Sequence, residues 1–217
     1  MSHTGPIMLP SIKYATLLQY SPRGNAELSQ RSRQVRDSIK GGQIAPYKER
    51  FSEVLAQHRD ILADFLNPEV SLVPTPRSSP LKKSTLWPAA EIAAMLASLQ
   101  LGTLSTCLVR KTAVRKSALY PKADDRPSID EHYRSFAITG LIPTQNITLV
   151  DDVLTLGRTF MAAASRLADA FPNAKIRAFA LMHTKGRSID GKIERILNVE
   201  LGAISFNPQT GKCKHIQ

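Results

Sequence analysis

Residues 147–160, ITLVDDVLTLGRTF, place two adjacent carboxylates directly after a run of apolar and β-favouring residues. Carboxylates accept hydrogen bonds from hydroxyl groups, so Asp151 and Asp152 are candidates for holding a polyol. Residues 155–159 then supply two threonines and a glycine. A glycine permits the positive φ or close backbone approach of a phosphate-binding turn, and a helix N-terminus after it favours anions. The pattern suits a phosphorylated sugar, with hydroxyls on the aspartates and phosphate in the turn.

The aspartate pair has a simpler interpretation as well. Aspartate commonly accepts hydrogen bonds from backbone N–H groups where a strand turns into a helix. The same pair could therefore be a structural cap.

The elements around this stretch alternate between strand and helix from Val70 onward. Strands are predicted at 70–73, 104–109, 136–138, 147–150 and 174–182, and helices at 47–66, after Pro88 and at about 158–170. This alternation favours an α/β fold with a mainly parallel central sheet flanked by helices. Ligands of open α/β sheets bind beyond the carboxyl ends of the strands, where the aspartates are expected.

Three other stretches are less regular. Residues 1–46 are rich in proline and glycine and are predicted to form an irregular N-terminal hood, with residues 47–217 as the main domain. Within the hood, the polar stretch 26–41 could form a basic helix, either solvated or placed beside the anion site or on a partner. Residues 111–135 show no clear periodicity and are predicted to be a functional loop. Residues 193–210 predict a C-terminal strand pair turning at Asn207-Pro208.

The charge balance favours anionic partners. The chain has 29 Lys and Arg against 18 Asp and Glu, a formal net charge of +11. Between Arg77 and Lys122 there are eight basic residues and one acid, Glu91. Such a field attracts nucleic acid and small phosphorylated molecules alike. No apolar run is long enough to span a membrane and no signal-like N-terminus is present, so a soluble, cytoplasmic protein is expected.

Residues 151–159 resemble the 5-phosphoribosyl 1-diphosphate (PRPP) motif of type I phosphoribosyltransferases, D-D-x-x-T-x-G-x-T after an apolar strand. The flanking sequences resemble the ComF-like members: residues 70–97 are similar to their strand, P-x-P, basic loop and alanine-rich helix, and residues 108–138 to their basic connection. The resemblance covers roughly residues 70–183. This chain differs at Leu156, where the family usually has Thr or Ser, near Leu86-Trp87, where a glycine-asparagine pair is common, and in lacking the four-cysteine zinc module.

The resemblance implies a fold of the type I phosphoribosyltransferase class and a role for each matching residue. Asp151 and Asp152 would act catalytically by binding the ribose hydroxyls, and would hold Mg²⁺ indirectly through ligand or water. The 5′-phosphate would be bound by Thr155, Leu156, Gly157, Arg158 and Thr159. The pyrophosphate loop would comprise Thr75, Pro76, Arg77 and Ser78, with Lys82 and Lys83 nearby. A flexible loop carrying Arg110, Lys111, Arg115 and Lys116 would close over the site.

Three functions are compatible with the sequence. The first is phosphoribosyl transfer from PRPP to an unidentified base, or from a nucleotide back to pyrophosphate, with Mg²⁺ as cofactor. The second is a catalytically silent module that senses PRPP or a nucleotide, and the third is a basic nucleic-acid-associated protein of DNA uptake or defence. A homo-oligomer or a complex with an unidentified protein is expected. His183 is predicted to be either an exposed loop residue or part of the acceptor neighbourhood.

Overall fold

A computed structural model describes residues 7–115, 125–186 and 193–216. Its strands are β1 (Ser11–Tyr20), β2 (Ser71–Pro74), β3 (Thr103–Leu104), β4 (Leu108–Arg110), β5 (Phe136–Ile138), β6 (Asn146–Leu154), β7 (Lys175–Thr184), β8 (Leu197–Asn207) and β9 (Lys212–Ile216). Its helices are α1 (Glu27–Lys40), α2 (Lys48–Gln57), α3 (Arg59–Leu62), α4 (Pro88–Ser98), α5 (Ile129–Ser135) and α6 (Arg158–Ala170).

The central sheet has seven strands in the order β3-β2-β6-β7-β1-β8-β9. Its first five strands are parallel to one another, and β8 and β9 add an antiparallel pair at one edge. The predicted α/β class, the mainly parallel sheet and the C-terminal strand pair are therefore confirmed. No helix in the described part of the chain is long and apolar enough to cross a membrane.

Helices cover both faces of the sheet, and each face has its own core. One core includes Ile39 of α1, Phe51 of α2 and Ile92 of α4. The other includes Ile129 of α5 and Phe160 of α6. Because both faces are covered, β2 and the centres of β1, β6 and β7 are buried on both sides.

The prediction of an irregular N-terminal segment is wrong for residues 11–40. Residues 11–20 form β1, which pairs with β7 over six residue pairs and lies inside the sheet. The alternation of exposed polar and buried apolar residues is confined to Ser11–Tyr14, because residues 15–18 are buried on both faces, and this short signal was missed. Residues 27–40 form α1, as the basic-helix interpretation of that stretch expected.

Two further predictions need correction. The strand expected over 104–109 is split, because β3 joins the central sheet while β4 pairs with β5 in a separate two-stranded sheet. The loop expected over 111–135 contains α5, and Ser128 and Glu131 form a capping box at its start. That S-x-x-E signature was readable in the sequence.

Strand β6 also differs from its prediction, since it runs to Leu154 and not to Val150. Val153 pairs with Met182 and Leu154 with His183 on β7. The neighbouring strand thus continues the ladder past the aspartates. As a result, the turn into α6 is only three residues long.

Candidate functional site

A cavity of about 1140 Å³ opens at the carboxyl ends of the parallel strands. Its lining includes the turn from β6 into α6, the loop between β2 and α4, and the segment from the end of β1 through α1, together with described residues of β4, α5 and the ends of β6 and β7. We call the first three the β6–α6 turn (residues 155–159), the β2–α4 loop (residues 75–78 and 86–89) and the β1–α1 wall (residues 20–40). The expected position of a ligand in an open α/β sheet is thus where the cavity lies.

The β6–α6 turn has the backbone of an anion site. Gly157 has φ +74° and ψ 1°, the left-handed conformation that favours glycine, and a Cβ there would lie 2.8 Å from Cγ2 of Ile204. In the described part of the chain, no side chain caps the N-terminus of α6. The first backbone N–H groups of this helix are therefore left for a ligand, and residues 157–160 line the cavity. The Thr155 hydroxyl is held 3.0 Å from that of Thr184.

All five residues predicted to bind the 5′-phosphate line the cavity. Arg158 is the first residue of α6, and its guanidinium donates to the carbonyls of Arg126 and Pro127 at 3.1 and 3.2 Å. This anchors the Arg158 side chain beside the turn. Leu156 contributes an apolar side chain where a hydroxyl would be expected.

The two aspartates lie near the end of β6 and have different partners. Asp152 forms an ion pair with Lys40 at the end of α1, with Nζ 3.2 Å from Oδ2. Asp151 hydrogen-bonds with Thr75 and lies near Arg110. Burial, followed by the Asp152 carboxylate, raises the pKa of Asp151 well above its usual range. The Asp151 carboxyl therefore holds its proton more readily than an exposed aspartate does.

The β2–α4 loop lies next to the aspartates because β2 pairs with β6. The backbone N–H of Thr75 donates to the carbonyl of Val150, and the indole N–H of Trp87 donates to the carbonyl of Thr75, both at 2.8 Å. Pro76, Arg77 and Ser78 line the cavity. Trp87 is buried, and its hydrogen bond to Thr75 holds the loop in place.

Arg110 is not part of a flexible loop, so that prediction is wrong for this residue. It ends β4, is 5% exposed, and its guanidinium carbon lies 4.3 Å from the centre of the Phe136 ring. It donates to the Arg77 carbonyl and to the Ser135 hydroxyl. Burial lowers its pKa to about 10, which leaves it charged at neutral pH. Through its hydrogen bond to the Arg77 carbonyl, Arg110 holds the β2–α4 loop in place.

His132 on α5 packs against Arg110, with Nδ1 3.4 Å from a guanidinium nitrogen. Burial first, and the Arg110 charge second, lower the pKa of His132 to about 4. His132 is therefore neutral at pH 7. The prediction from sequence did not single it out, because its role depends on α5.

The remaining basic candidates have mixed outcomes. Arg115 lines the cavity and lies 3.6 Å from Glu131 in an ion pair. Lys82, Lys83 and Lys111 are exposed and do not line the cavity. Lys116 lies outside the described residues.

The β1–α1 wall was not assigned to the site from sequence, although a place beside the anion site was one interpretation of α1. It contributes Tyr20, Pro22, Arg23, Arg36 and Lys40 to the cavity. Arg36 and Lys40 are four residues apart, so they lie on one face of α1. That spacing was the available signal.

His183 is neither exposed nor in a loop, which corrects the first of its two interpretations. It lies on β7, is 6% exposed, and its Nδ1 is 2.9 Å from Glu200 Oε2. Its Nε2 is 3.1 Å from Nδ1 of His215, and Lys185 also pairs with Glu200. Burial lowers the pKa of His183. The cluster joins β7 to the C-terminal strand pair.

The cavity is strongly basic. Its described lining contains two carboxylates, those of Asp151 and Asp152, and eight basic side chains, those of Arg23, Arg36, Lys40, Arg77, Arg110, Arg115, Arg126 and Arg158. A concave surface with this excess of one sign concentrates ligands of the opposite charge.

Compared with known proteins, the sequence matches no family model, and no curated protein matches it.

Proposed function

We propose that this protein is a phosphoribosyltransferase of the type I class that binds PRPP with Mg²⁺ and transfers the phosphoribosyl group to or from a base. The observation that carries the proposal is the arrangement of the site at one sheet edge. A left-handed glycine turn at a helix N-terminus, a pair of aspartates and a second loop beside them all line one basic cavity. These three parts match the phosphate, the ribose hydroxyls and the pyrophosphate of PRPP.

Each part has a distinct task in this proposal. The N–H groups of the β6–α6 turn and the Arg158 guanidinium bind the 5′-phosphate. Asp151 and Asp152 accept hydrogen bonds from the ribose hydroxyls. The β2–α4 loop, with Arg77, binds the pyrophosphate. Arg110 acts through the loop that it holds and is a positioning residue.

The described residues of the site could hold Mg²⁺ only through the two aspartates together with water and the substrate. Within the described residues, no group of three or more His, Cys, Asp or Glu side chains could hold a metal ion. Mg²⁺ commonly keeps several waters and is bound through one or two carboxylates and substrate phosphates. Asp151 and Asp152 would provide that limited hold. When bound, the ion would neutralise part of the pyrophosphate charge.

The transfer itself asks mainly for positioning and charge. The bond between ribose C1 and the pyrophosphate oxygen breaks, the electron pair leaves with the pyrophosphate, and a lone pair on the acceptor forms the new bond to C1. Fixed cations around the β2–α4 loop stabilise the charge that develops on the leaving group. The aspartates fix the ribose in the geometry for attack.

The site assignment is tested by calorimetric titration of PRPP with Mg²⁺ into the wild-type protein, Asp151→Asn and Asp152→Asn. We expect binding to the wild type and a loss of at least tenfold in affinity in each variant. Asp60→Asn, an exposed aspartate on α3, is the matched control and should bind as the wild type does. Binding that survives both site substitutions would contradict the assignment.

A silent PRPP-sensing module is the second candidate, and two observations favour it. Leu156 removes one hydroxyl from the β6–α6 turn, and Lys40 already pairs with Asp152. Pyrophosphate release from PRPP with a panel of nucleobases separates the two functions. Release above the background of an Asp151→Asn, Asp152→Asn double variant supports the enzyme, and binding without release supports the module.

A further inference from the structure

The β1–α1 wall has no task in the binding of PRPP as proposed above. We infer that this wall is an anion subsite for the second reactant, so that the acceptor carries a carboxylate or a phosphate group. The inference rests on the proposed function, because it takes the other two parts of the cavity as the donor site.

The size of the cavity leaves room for a second reactant. Ligand pockets commonly enclose about 300–1000 Å³, and this cavity encloses about 1140 Å³. The β6–α6 turn and the β2–α4 loop occupy two of its sides. The β1–α1 wall is a further side, and described residues of β4, α5 and β7 line the rest of the cavity.

The position of the wall suits an acceptor. Lys40, at the end of α1, contacts Asp152 directly. The wall therefore adjoins the carboxylates that would hold the ribose, and the acceptor must approach the ribose. A group bound along α1 would be next to the reacting carbon without displacing the 5′-phosphate.

The chemistry of the wall favours an anion. Its described lining residues include three cations, Arg23, Arg36 and Lys40, and no carboxylate. Arg36 stacks on the Tyr20 ring, with 5.2 Å between the guanidinium carbon and the ring centre, and also pairs with the exposed Asp37. Asp37 and Asp152 each pair with one of these three cations, so the wall keeps a net positive charge that an anion would offset and a neutral base would not.

The wall is also held in place before any ligand binds. The backbone N–H of Ser21 donates to the Ser32 hydroxyl at 3.1 Å. Arg33 donates to the carbonyls of Ser21 at 3.3 Å and Gly24 at 2.8 Å. These bonds tie the turn that carries Arg23 to α1. A preorganised subsite loses less conformational entropy on binding.

The test uses protein saturated with ribose 5-phosphate and Mg²⁺, which fills the β6–α6 turn and has no leaving group. Two pairs of probes are titrated by calorimetry at constant salt: nicotinate against nicotinamide for a carboxylate, and adenosine 5′-monophosphate against adenosine for a phosphate. We expect the acidic member of at least one pair to bind at least tenfold more tightly than its neutral partner. The pair that shows this preference identifies the acidic group.

Substitutions then locate the preference. Arg36→Gln should reduce the preference at least fivefold, Arg36→Lys should retain most of it, and Arg31→Gln, an exposed cation elsewhere on α1, should leave it unchanged. Inorganic pyrophosphate is the counter-probe: Arg77→Gln should weaken its binding, and Arg36→Gln should not. Equal or weaker binding of both acidic members overturns the inference, and so does a loss of pyrophosphate binding in Arg36→Gln.

The proposed function and this inference fail differently. If ribose 5-phosphate itself does not bind, the donor site is wrong and both fall. If it binds and neither acidic probe is preferred, the donor site stands and the acceptor is not an anion.

Discussion

The β6–α6 turn and the β1–α1 wall line one cavity and are built in different ways. The turn and the two aspartates before it belong to a single stretch of chain, which runs from Asp151 to Thr159 along β6 and into α6. The wall is assembled from a strand end and a helix end, and Arg23 and Lys40 are 17 positions apart. The turn presents backbone N–H groups, whereas the wall presents cationic side chains.

The difference matters for what each region tolerates. A backbone site depends on a conformation, so its sensitive position is Gly157. A side-chain site depends on residue type, so its sensitive positions are Arg36 and its neighbours. Substitutions should therefore separate the donor side of the cavity from the β1–α1 wall.

The largest effect is expected from Asp151→Asn. Loss of the carboxylate removes a ligand of the ribose, and we expect turnover to fall about 10²–10³-fold, the range for one preorganised polar group. The free energy of unfolding should stay the same or rise, because burial disfavours the charged form of this carboxyl. Steady-state kinetics and urea unfolding measure the two quantities. Full activity of the Asp151→Asn variant would contradict the proposed role of this carboxyl on the donor side of the cavity.

The next effect is the pH dependence of stability that comes from His132, which contacts Arg110 behind the β2–α4 loop. His132 has a folded pKa of about 4, below its ordinary value, so it is neutral in the folded protein while the unfolded chain binds a proton below about pH 6.5. Its contribution to stability is full above pH 6.5 and is lost as the pH falls towards 4, by at most about 3 kcal/mol.

His132→Asn should flatten this dependence in urea unfolding measured at pH 7.5 and 5. Other buried histidines, such as His183, also lower stability on acidification, so the difference between variant and wild type is the relevant quantity. An identical change with pH in the variant and the wild type would show that the pKa of His132 is not lowered in the folded protein.

A smaller effect is expected from Gly157→Ala. An L-residue in the left-handed conformation costs about 1–2 kcal/mol, and the new Cβ would contact Ile204. Gly211→Ala is the matched control, since Gly211 also has positive φ but no atom within 4 Å of its Cβ position. Gly157→Ala should lose more stability than the control in urea unfolding, and it alone should weaken ribose 5-phosphate binding.

The smallest effect should come from Leu156→Thr, which restores a hydroxyl to the β6–α6 turn. A typical hydrogen bond contributes a net free energy of about 0.5–1.5 kcal/mol, so we expect ribose 5-phosphate to bind up to about tenfold more tightly by calorimetry. Leu156→Val has the same shape without the hydroxyl and should show no gain. A gain in both variants would assign the effect to side-chain size.

Several features of the fold were predictable because the signals are local. Apolar runs bounded by proline and glycine indicated β2, β6 and β7, and Pro88 marked the start of α4. The end of β6 was misplaced by four residues, since the pairing of Val153 with β7 decides it. The strand β1 was missed because burial on both faces limits the alternation that identifies a half-buried strand to its first four residues.

The sequence by itself determined the contiguous half of the site: two acids, a glycine turn and a helix start in one stretch, where covalent order fixes which groups are neighbours. Only the tertiary structure decided the other half. The parallel pairing of β1 with β7 brings the end of β1, and with it α1, to the sheet edge where Asp152 lies near the end of β6. Burial likewise turned Arg110 from a loop candidate into a fixed support. Contacts between distant segments depend on packing, and no local pattern of residues records them.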